Sequence, residues 1–127
     1  MEKIYLLDTT VLVDHLRDIK SATEFLLNTS RTISIVSVAE LIQGADNKIK
    51  LRNVRRLVNS LEVLPIIPSA SQKAVDLMES FYLSYHLKFL DALIAATAIE
   101  EDLTLITSNT KHFSFIKPLK LQDWKKV

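Results

Sequence analysis

Three acidic residues lie beside or within apolar segments of the sequence, where a carboxylate is unexpected unless it has a specific role. Asp8 closes the apolar run at residues 4–7, Glu40 follows the apolar run at 33–36, and Asp91 lies inside the apolar segment FLDALIAATAI. An acid flanked by so much apolar surface is costly unless it is paired or bound to a ligand. Oxygen ligands in a chain without cysteine favour a hard cation, Mg²⁺ or Mn²⁺. Such an ion can activate a water against a phosphate, so these residues predict hydrolysis of a phosphodiester.

Each acid also has a structural interpretation that involves no ligand. Asp8 could cap the helix that follows it, although the threonines after it can fill that position. Ser37 and Glu40 fit the S-x-x-E capping box, which would place the glutamate in the first turn of its helix, reaching back to the cap. Asp91 could stabilise a helix N-terminus through the helix dipole. From the residues alone, these alternatives stay open.

A polar segment, TSNTKHF at residues 107–113, follows a further apolar run. Thr107 and Asn109 are polar groups at the carboxyl edge of the sheet. Asn109 and His112 could contact a ligand there, or they could form a hydrogen-bonded turn with an exposed histidine. Asp14, which lies about a turn and a half along the helix after Asp8, is expected to be solvated.

Short apolar runs alternate with longer segments of helical spacing, and this alternation predicts the elements that position these residues. Strands are predicted at residues 4–7, 33–36, 63–67, 103–107 and 119–121. Helices are predicted at residues 10–16 and 22–27, twice within 37–61, and at 69–83 and 90–101, the last two as a hairpin. This order is typical of an α/β fold with a central, mainly parallel sheet of four to five strands. Ligands bind such sheets at the carboxyl ends of the strands, which directs attention to Asp8 and Glu40.

The composition is that of a folded protein without a strong overall charge. The 127 residues are 48% hydrophobic and carry a formal net charge of +1, so we expect a single domain over residues 1–127. Nucleic-acid binding would therefore depend on a local patch. The absence of cysteine suits a reducing cytoplasm. No apolar stretch approaches the ~20 residues of a membrane span, and the N-terminal run is too short for a signal peptide.

The chain resembles the PIN-domain family, and within it the VapC-type toxins of toxin–antitoxin pairs. The matching segments are LLDTTVLVDHL near the start, SVAELIQGA next and DALIAATAIEEDLTLITSNTKHF late, so the resemblance spans nearly the whole chain. It implies a three-layer α/β/α sandwich that is usually a homodimer. It also implies a Mg²⁺- or Mn²⁺-dependent ribonuclease that a small antitoxin protein inhibits.

The resemblance assigns roles to individual residues as well. It implies an acidic cluster that binds the metal and carries catalysis, formed by Asp8, Glu40 and Asp91. Thr10 and Thr107 match polar positions beside these acids. The family often has a fourth acid after the fourth strand, and here Asn109 and His112 stand at those positions.

The basic segment KIKLRNVRR could attract the backbone of an RNA. Its residues Lys48, Arg52, Arg55 and Arg56 fall on one helical face. A solvated basic face is the commoner meaning of such a pattern.

Two other functions stay open on the sequence. A PIN-like domain that lacks the fourth acid could be catalytically inactive and serve as a binding module. A phosphatase or phosphotransfer domain is the second alternative. A haloacid-dehalogenase-like phosphatase would need a second acid two residues after Asp8, where Thr10 stands. A receiver domain would need a phospho-accepting aspartate after the third strand, where PIIPSAS offers none.

Overall fold

A parallel five-stranded sheet forms the centre of the molecule. The computed structural model describes residues 4–126. Its strands are β1 (Tyr5–Leu7), β2 (Thr32–Ser34), β3 (Glu62–Leu64), β4 (Thr104–Thr107) and β5 (Leu121–Asp123). Their order is β3-β2-β1-β4-β5, and every neighbouring pair of these strands is parallel. The predicted parallel sheet is therefore confirmed, with β1 at its centre.

Six helices cover the two faces of this sheet. They are α1 (Thr9–Leu16), α2 (Lys20–Leu27), α3 (Ile35–Gln43), α4 (Lys48–Asn59), α5 (Pro68–Tyr85) and α6 (Phe89–Glu100), and a 3₁₀ turn follows β4 at Thr110–His112. Successive strand residues point to opposite faces. Leu6 accordingly belongs to a core shared with α5 and α6, whereas Leu7 belongs to a second core shared with α1, α2 and α4. The expected three-layer α/β/α sandwich is confirmed.

The predicted ends of three strands were wrong by a few residues. Ile35 and Val36 were expected in β2, but they begin α3, because the Ser34 hydroxyl accepts a hydrogen bond from the Val36 N–H at 3.0 Å and caps that helix. The third strand ends at Leu64, before Pro65, which has no N–H to offer a ladder. The fifth strand begins at Leu121, where its prediction ended.

The predicted helical hairpin is formed by α5 and α6. His86 ends α5 in the left-handed conformation, with φ 56°, and its N–H donates to Tyr82 O at 2.7 Å. Residues 92–98 of α6 are all buried, and four of these seven are alanines. Small side chains let α6 approach its neighbours closely, which explains why an apolar helix of this composition lies inside the molecule. None of the helices described between residues 4 and 126 is both long and apolar enough to cross a membrane.

Candidate active site

An acid-lined cleft of about 740 Å³ opens at the carboxyl edge of the sheet. Its acids come from three helices and from the end of β1: Asp8, Asp14, Glu40 and Asp91 line it together. The three acids that the sequence singled out therefore share one cleft. Asp14, which was expected to be solvated, also lines this open cleft. It is half-buried in the cleft wall, one helical turn beyond Thr10.

Asp8 is held by hydroxyl groups and not by a helix terminus. Its own N–H donates to Ile106 O at 2.8 Å, which ties the end of β1 to β4. It occupies the N-cap position of α1, yet its side chain makes no capping hydrogen bond. Instead, Asp8 Oδ2 accepts from Thr107 Oγ1 at 2.7 Å and from Thr10 Oγ1 at 3.0 Å. The capping interpretation of Asp8 is therefore excluded.

The two threonine hydroxyls are themselves oriented by backbone amides. Thr10 Oγ1 accepts from the Ser108 N–H at 3.1 Å, and Thr107 Oγ1 accepts from the Asn109 N–H at 3.0 Å. Each hydroxyl has one proton, and accepting from an amide leaves that proton free for Asp8 Oδ2. Because Asp8 is only 5% exposed, these charge-assisted hydrogen bonds offset the cost of burying its carboxylate.

Glu40 is held by a residue of α1, whereas the sequence predicted that it would cap its own helix, α3. The proposed capping box was wrong, because Ser34 caps α3 and Glu40 is the sixth residue of that helix and not part of its first turn. The Glu40 Oε1 atom accepts from Thr9 Oγ1 at 2.6 Å. The same Thr9 oxygen lies 2.9 Å from Oγ of the fully buried Ser37. This contact joins the first turn of α1 to α3 and turns Glu40 toward the cleft.

Asp91 is an acid of the cleft whose pKa departs clearly from its ordinary value. It lies in the first turn of α6, with 24% of its side chain exposed. Burial raises the pKa of Asp91 from its ordinary value of 3.8 to about 6, and the charges of Asp8 and Glu40 act in the same direction. His112 and Lys88 oppose the increase without cancelling it. The cleft therefore disfavours the ionised form of Asp91 unless a cation enters with it.

Asn109 and His112 form a polar pair at the rim, where the fourth acid of the resemblance would stand. Asn109 Nδ2 lies 3.1 Å from His112 Nε2. This contact joins the side chain of Asn109 to the imidazole ring. The Nδ1 atom of that ring lies 3.7 Å from Asp91 Oδ2, and 58% of the histidine side chain is exposed. His112 thus faces Asp91 directly, and Asn109 orients its ring.

The donor set is suited to a hard divalent cation, although it is not preassembled. Carboxylate oxygens are the ligands that Mg²⁺ and Mn²⁺ prefer. Burial, and after it the charges of Asp8 and Glu40, raise the pKa of Asp91, and a divalent cation would stabilise its ionised form. Within residues 4–126, however, no group of three or more His, Cys, Asp or Glu side chains is already arranged to hold a metal ion.

Comparison with known proteins places the chain in a family. The PIN domain model matches residues 5–117. The chain belongs to the PIN-domain family. Within it, this PIN domain is 38% identical over 120 residues to a protein named ribonuclease VapC10 from Mycobacterium tuberculosis, covering 91% of this chain and 90% of the relative. It is 34% identical over 134 residues to ribonuclease VapC2 from Rickettsia felis, with 97% and 99% covered. The resemblance to VapC-type proteins is confirmed.

Solved structures of related proteins share the fold. A toxin–antitoxin complex from Klebsiella pneumoniae contains a chain with a TM-score of 0.78 and 28% identity, covering 94% of this PIN domain and 97% of that chain. The DNA-bound VapBC of Salmonella typhimurium matches with a TM-score of 0.79 and 26% identity, covering 97% and 99%. The α/β/α sandwich of this PIN domain is thus the architecture of VapBC proteins.

The predicted basic face of α4 lies away from the acids of the PIN domain. All four of its cations are exposed, and within the described part of the chain none of them lines the acid-lined cleft: Lys48, Arg52, Arg55 and Arg56. Arg55 borders a small apolar groove between α3 and α4, and Arg56 borders a separate pocket beside the end of α1. Their role in RNA binding stays a prediction.

Sequence reasoning missed two cations that do line the cleft. Arg17 follows α1, and Lys88 is the N-cap residue of α6. Each stands three residues from a cleft acid, Arg17 after Asp14 and Lys88 before Asp91. Residues three apart on a helix are neighbours, and that spacing is the signal that could have found them.

Proposed function

We propose that this PIN domain is a Mg²⁺- or Mn²⁺-dependent endoribonuclease and the toxin of a type II toxin–antitoxin pair. One observation carries the proposal. Carboxylates from the end of β1, from α3 and from α6 line one cleft, where burial first, and then the charges of Asp8 and Glu40, raise the pKa of Asp91 to about 6. Buried and half-buried carboxylates that gather in one cleft, one of them with a raised pKa, are the arrangement expected of a site for a divalent cation.

Asp8, Glu40 and Asp91 would hold the ion in this proposal. When bound, such an ion lowers the pKa of a water molecule and offsets the charge that develops on the phosphate. Thr10 and Thr107 hold Asp8 in place through its Oδ2 atom. Thr9 holds Glu40 at the cleft through a hydrogen bond to its carboxylate. When a cation binds that carboxylate, the Thr9 hydroxyl either shares it with the cation or releases it.

His112 takes a supporting part in the place of a fourth acid. Its Nδ1 lies 3.7 Å from Asp91 Oδ2, and Asn109 Nδ2 contacts the ring at Nε2. An imidazole there adds no negative charge to the cleft, and His112 opposes the rise in the pKa of Asp91. We therefore propose that this pair positions Asp91.

The activity is tested by metal removal together with one nearly isosteric substitution. EDTA should stop RNA cleavage, and added Mg²⁺ or Mn²⁺ should restore it. Asp8→Asn should abolish cleavage because it removes the charge of a ligand and almost no volume. Circular dichroism of Asp8→Asn should match that of the unchanged protein. Metal-independent cleavage, or cleavage by Asp8→Asn at the original rate, would contradict the proposal.

An inactive binding module is the second candidate, and two observations favour it. Glu40 is engaged by Thr9, and no three-ligand arrangement is already formed within the described residues. Titration of the protein with Mn²⁺ in a calorimeter separates the two functions. Binding that Asp8→Asn and Asp91→Asn both weaken supports the enzyme. An absence of Mn²⁺ binding supports the module.

The proposed partners follow from the relatives. A structure related to this PIN domain is described as a toxin–antitoxin complex, so we propose a small antitoxin as its partner. We further propose a homodimer, an RNA substrate and a cytoplasmic location, as the resemblance to VapC-type toxins implies. Exposed apolar side chains give such partners surface to bury, among them Leu83, which is 88% exposed, and Tyr85. Light scattering of the purified protein tests the dimer. Co-purification with the product of the neighbouring reading frame tests the antitoxin.

A further inference from the structure

The first turn of α1 supplies a hydroxyl to each of two acids in the cleft. Thr10 donates to Asp8 Oδ2 at 3.0 Å. The neighbouring Thr9 donates to Glu40 Oε1 at 2.6 Å and so connects α1 with α3. Thr9 Oγ1 also lies 2.9 Å from Oγ of Ser37, which precedes Glu40 by about one turn of α3. The side chains of Ser37, Thr9 and Glu40 therefore lie in series.

The position of one proton gives this series a direction. Thr9 has a single hydroxyl proton, and both Ser37 and Glu40 lie within hydrogen-bond distance of its oxygen. An ionised carboxylate can only accept, and 2.6 Å is a distance typical of a hydroxyl that donates to a carboxylate. The Thr9 proton therefore points to Glu40, and the Thr9 oxygen accepts from the Ser37 hydroxyl.

Ser37 fixes the hydroxyl of Thr9 from the interior of the molecule. The Ser37 side chain is fully buried, and its hydroxyl forms a hydrogen bond with Thr9 and with no other group described between residues 4 and 126. A buried hydroxyl needs a partner within the protein, and Thr9 is that partner. Hydrogen bonds in series also polarise and strengthen one another, so the contact with Ser37 reinforces the one with Glu40.

The hydrogen bond from Thr9 leaves most of the Glu40 carboxylate open. A carboxylate has about four lone-pair positions, and Thr9 uses one of them, on Oε1. In the part of the chain that the structure describes, no residue donates to Oε2. Asp8 is divided in the same way, since its Oδ2 accepts both threonine hydroxyls and no described residue donates to Oδ1. Thr9 can therefore keep its hydrogen bond when a cation binds Glu40.

We propose that Ser37 and Thr9 form a hydroxyl relay that positions Glu40, in which Ser37 donates to Thr9, Thr9 donates to Oε1, and Oε2 stays available to a divalent cation. This inference rests on the proposed metal-dependent function and adds the residues that set the affinity of the cleft for its ion. Both are positioning residues, because they act through Glu40. Without the relay, the flexible Glu40 side chain has to be ordered at the moment the ion binds, which lowers the affinity.

The affinity of the full chain for Mn²⁺, measured by calorimetric titration, tests the relay. Thr9→Val keeps the shape of the side chain and removes its hydroxyl. It should weaken Mn²⁺ binding about 10-fold, as expected when a metal ligand loses the hydrogen bond that orients it. Thr9→Ser keeps the hydroxyl and should retain most of the affinity. Saturating Mn²⁺ should restore RNA cleavage by Thr9→Val, because the hydroxyl carries none of the chemistry.

A matched control and a double-mutant cycle separate positioning from a general loss of stability. Thr23→Val is the control, because Thr23 is also half-buried and its hydroxyl contacts His15 Nδ1 at 2.8 Å, away from the cleft. It should bind Mn²⁺ like the parent protein. Ser37→Ala should weaken Mn²⁺ binding, but it should cause no further loss in a Thr9→Val background, where the relay is already broken. Circular dichroism checks that each variant is folded, and Thr9→Ala, which also lacks the hydroxyl, carries the same prediction if Thr9→Val does not fold.

Three results would overturn the relay while the proposed function stands. The first is an Mn²⁺ affinity of Thr9→Val equal to that of the parent protein. The second is a loss in Thr9→Ser as large as that in Thr9→Val, which would show that the hydroxyl does not matter. The third is a full effect of Ser37→Ala in the Thr9→Val background. A parent protein that binds no Mn²⁺ would instead overturn the proposed function, and the role of the relay with it.

Discussion

Asp91→Asn should make the metal-free protein more stable at neutral pH while it removes a proposed catalytic ligand. A pKa raised from 3.8 to about 6 corresponds to about 3 kcal/mol of unfavourable energy for the ionised carboxylate in the folded state. An asparagine carries no charge and therefore does not incur most of that unfavourable energy. Because the side chain is 24% exposed and its amide still has to be hydrogen-bonded, we expect a gain of about half that value, about 1–2 kcal/mol at pH 7.5.

The direction of the pH dependence follows from the raised pKa. Between pH 3.8 and about 6, the folded protein holds a proton on Asp91 that the unfolded chain has released. The contribution of Asp91 to stability is therefore most favourable below this window and is lost as the pH rises through about 6. The advantage of Asp91→Asn should vanish near pH 4 and be complete above pH 7.

Urea unfolding in EDTA at several pH values measures this prediction. Asp102→Asn is the matched control, because Asp102 is exposed, its φ of 55° is one that asparagine tolerates, and its pKa is lowered by the hydrogen bond from Lys120. That control should gain no stability at pH 7.5. Added Mg²⁺ should stabilise the parent protein more than it stabilises Asp91→Asn. A loss of stability in Asp91→Asn at pH 7.5, or a gain of equal size at pH 4, would refute the electrostatic account of the cleft.

Two further predictions concern the residues that hold the site in place. Thr107→Val keeps the volume but removes the buried hydroxyl that donates to Asp8 Oδ2, and it should cost about 1.5–3 kcal/mol in urea unfolding. The penalty should shrink in an Asp8→Asn background; equal penalties in both backgrounds would argue that Thr107 acts through packing. Gly44→Ala should raise the free energy of unfolding by about 0.4–1 kcal/mol. Gly44 has φ −80°, and an added Cβ would lie no closer than 3.5 Å to Glu40 O, so a loss of stability would show that the end of α3 cannot accept a side chain.

The parts of the fold that depend on local patterns were predictable from the sequence. The run at Tyr5–Leu7 is apolar, and the run at Thr104–Thr107 combines apolar residues with β-branched threonines; such runs between helical segments indicate buried parallel strands. The carboxyl ends of parallel strands meet at one edge, which is why acids far apart in the chain could be expected in one cleft. Asp8, Glu40 and Asp91 do line one cleft.

The details that depend on contacts between distant elements were not predictable. Ser34 and Ser37 are both possible caps for α3, and the choice between them depends on where β2 leaves the sheet. The partner of Glu40 is Thr9, 31 residues earlier, and no spacing rule within one helix can find it. The raised pKa of Asp91 likewise depends on burial and on the charge of Asp8, which are properties of the assembled cleft.

Because the strands all run in one direction, the acid-lined cleft lies at one end of the molecule. The opposite end can therefore be modified without changing the cleft. Each helix that starts at the cleft carries the chain back to the amino edge of the sheet, so Glu100 lies about 14 Å along α6 from Asp91. Glu100 is exposed, and the chain contains no cysteine. A single cysteine introduced by Glu100→Cys would therefore be the only thiol available to a fluorophore or to a sensor surface. Attachment there leaves the cleft facing away from the support, which suits binding measurements on an immobilised protein.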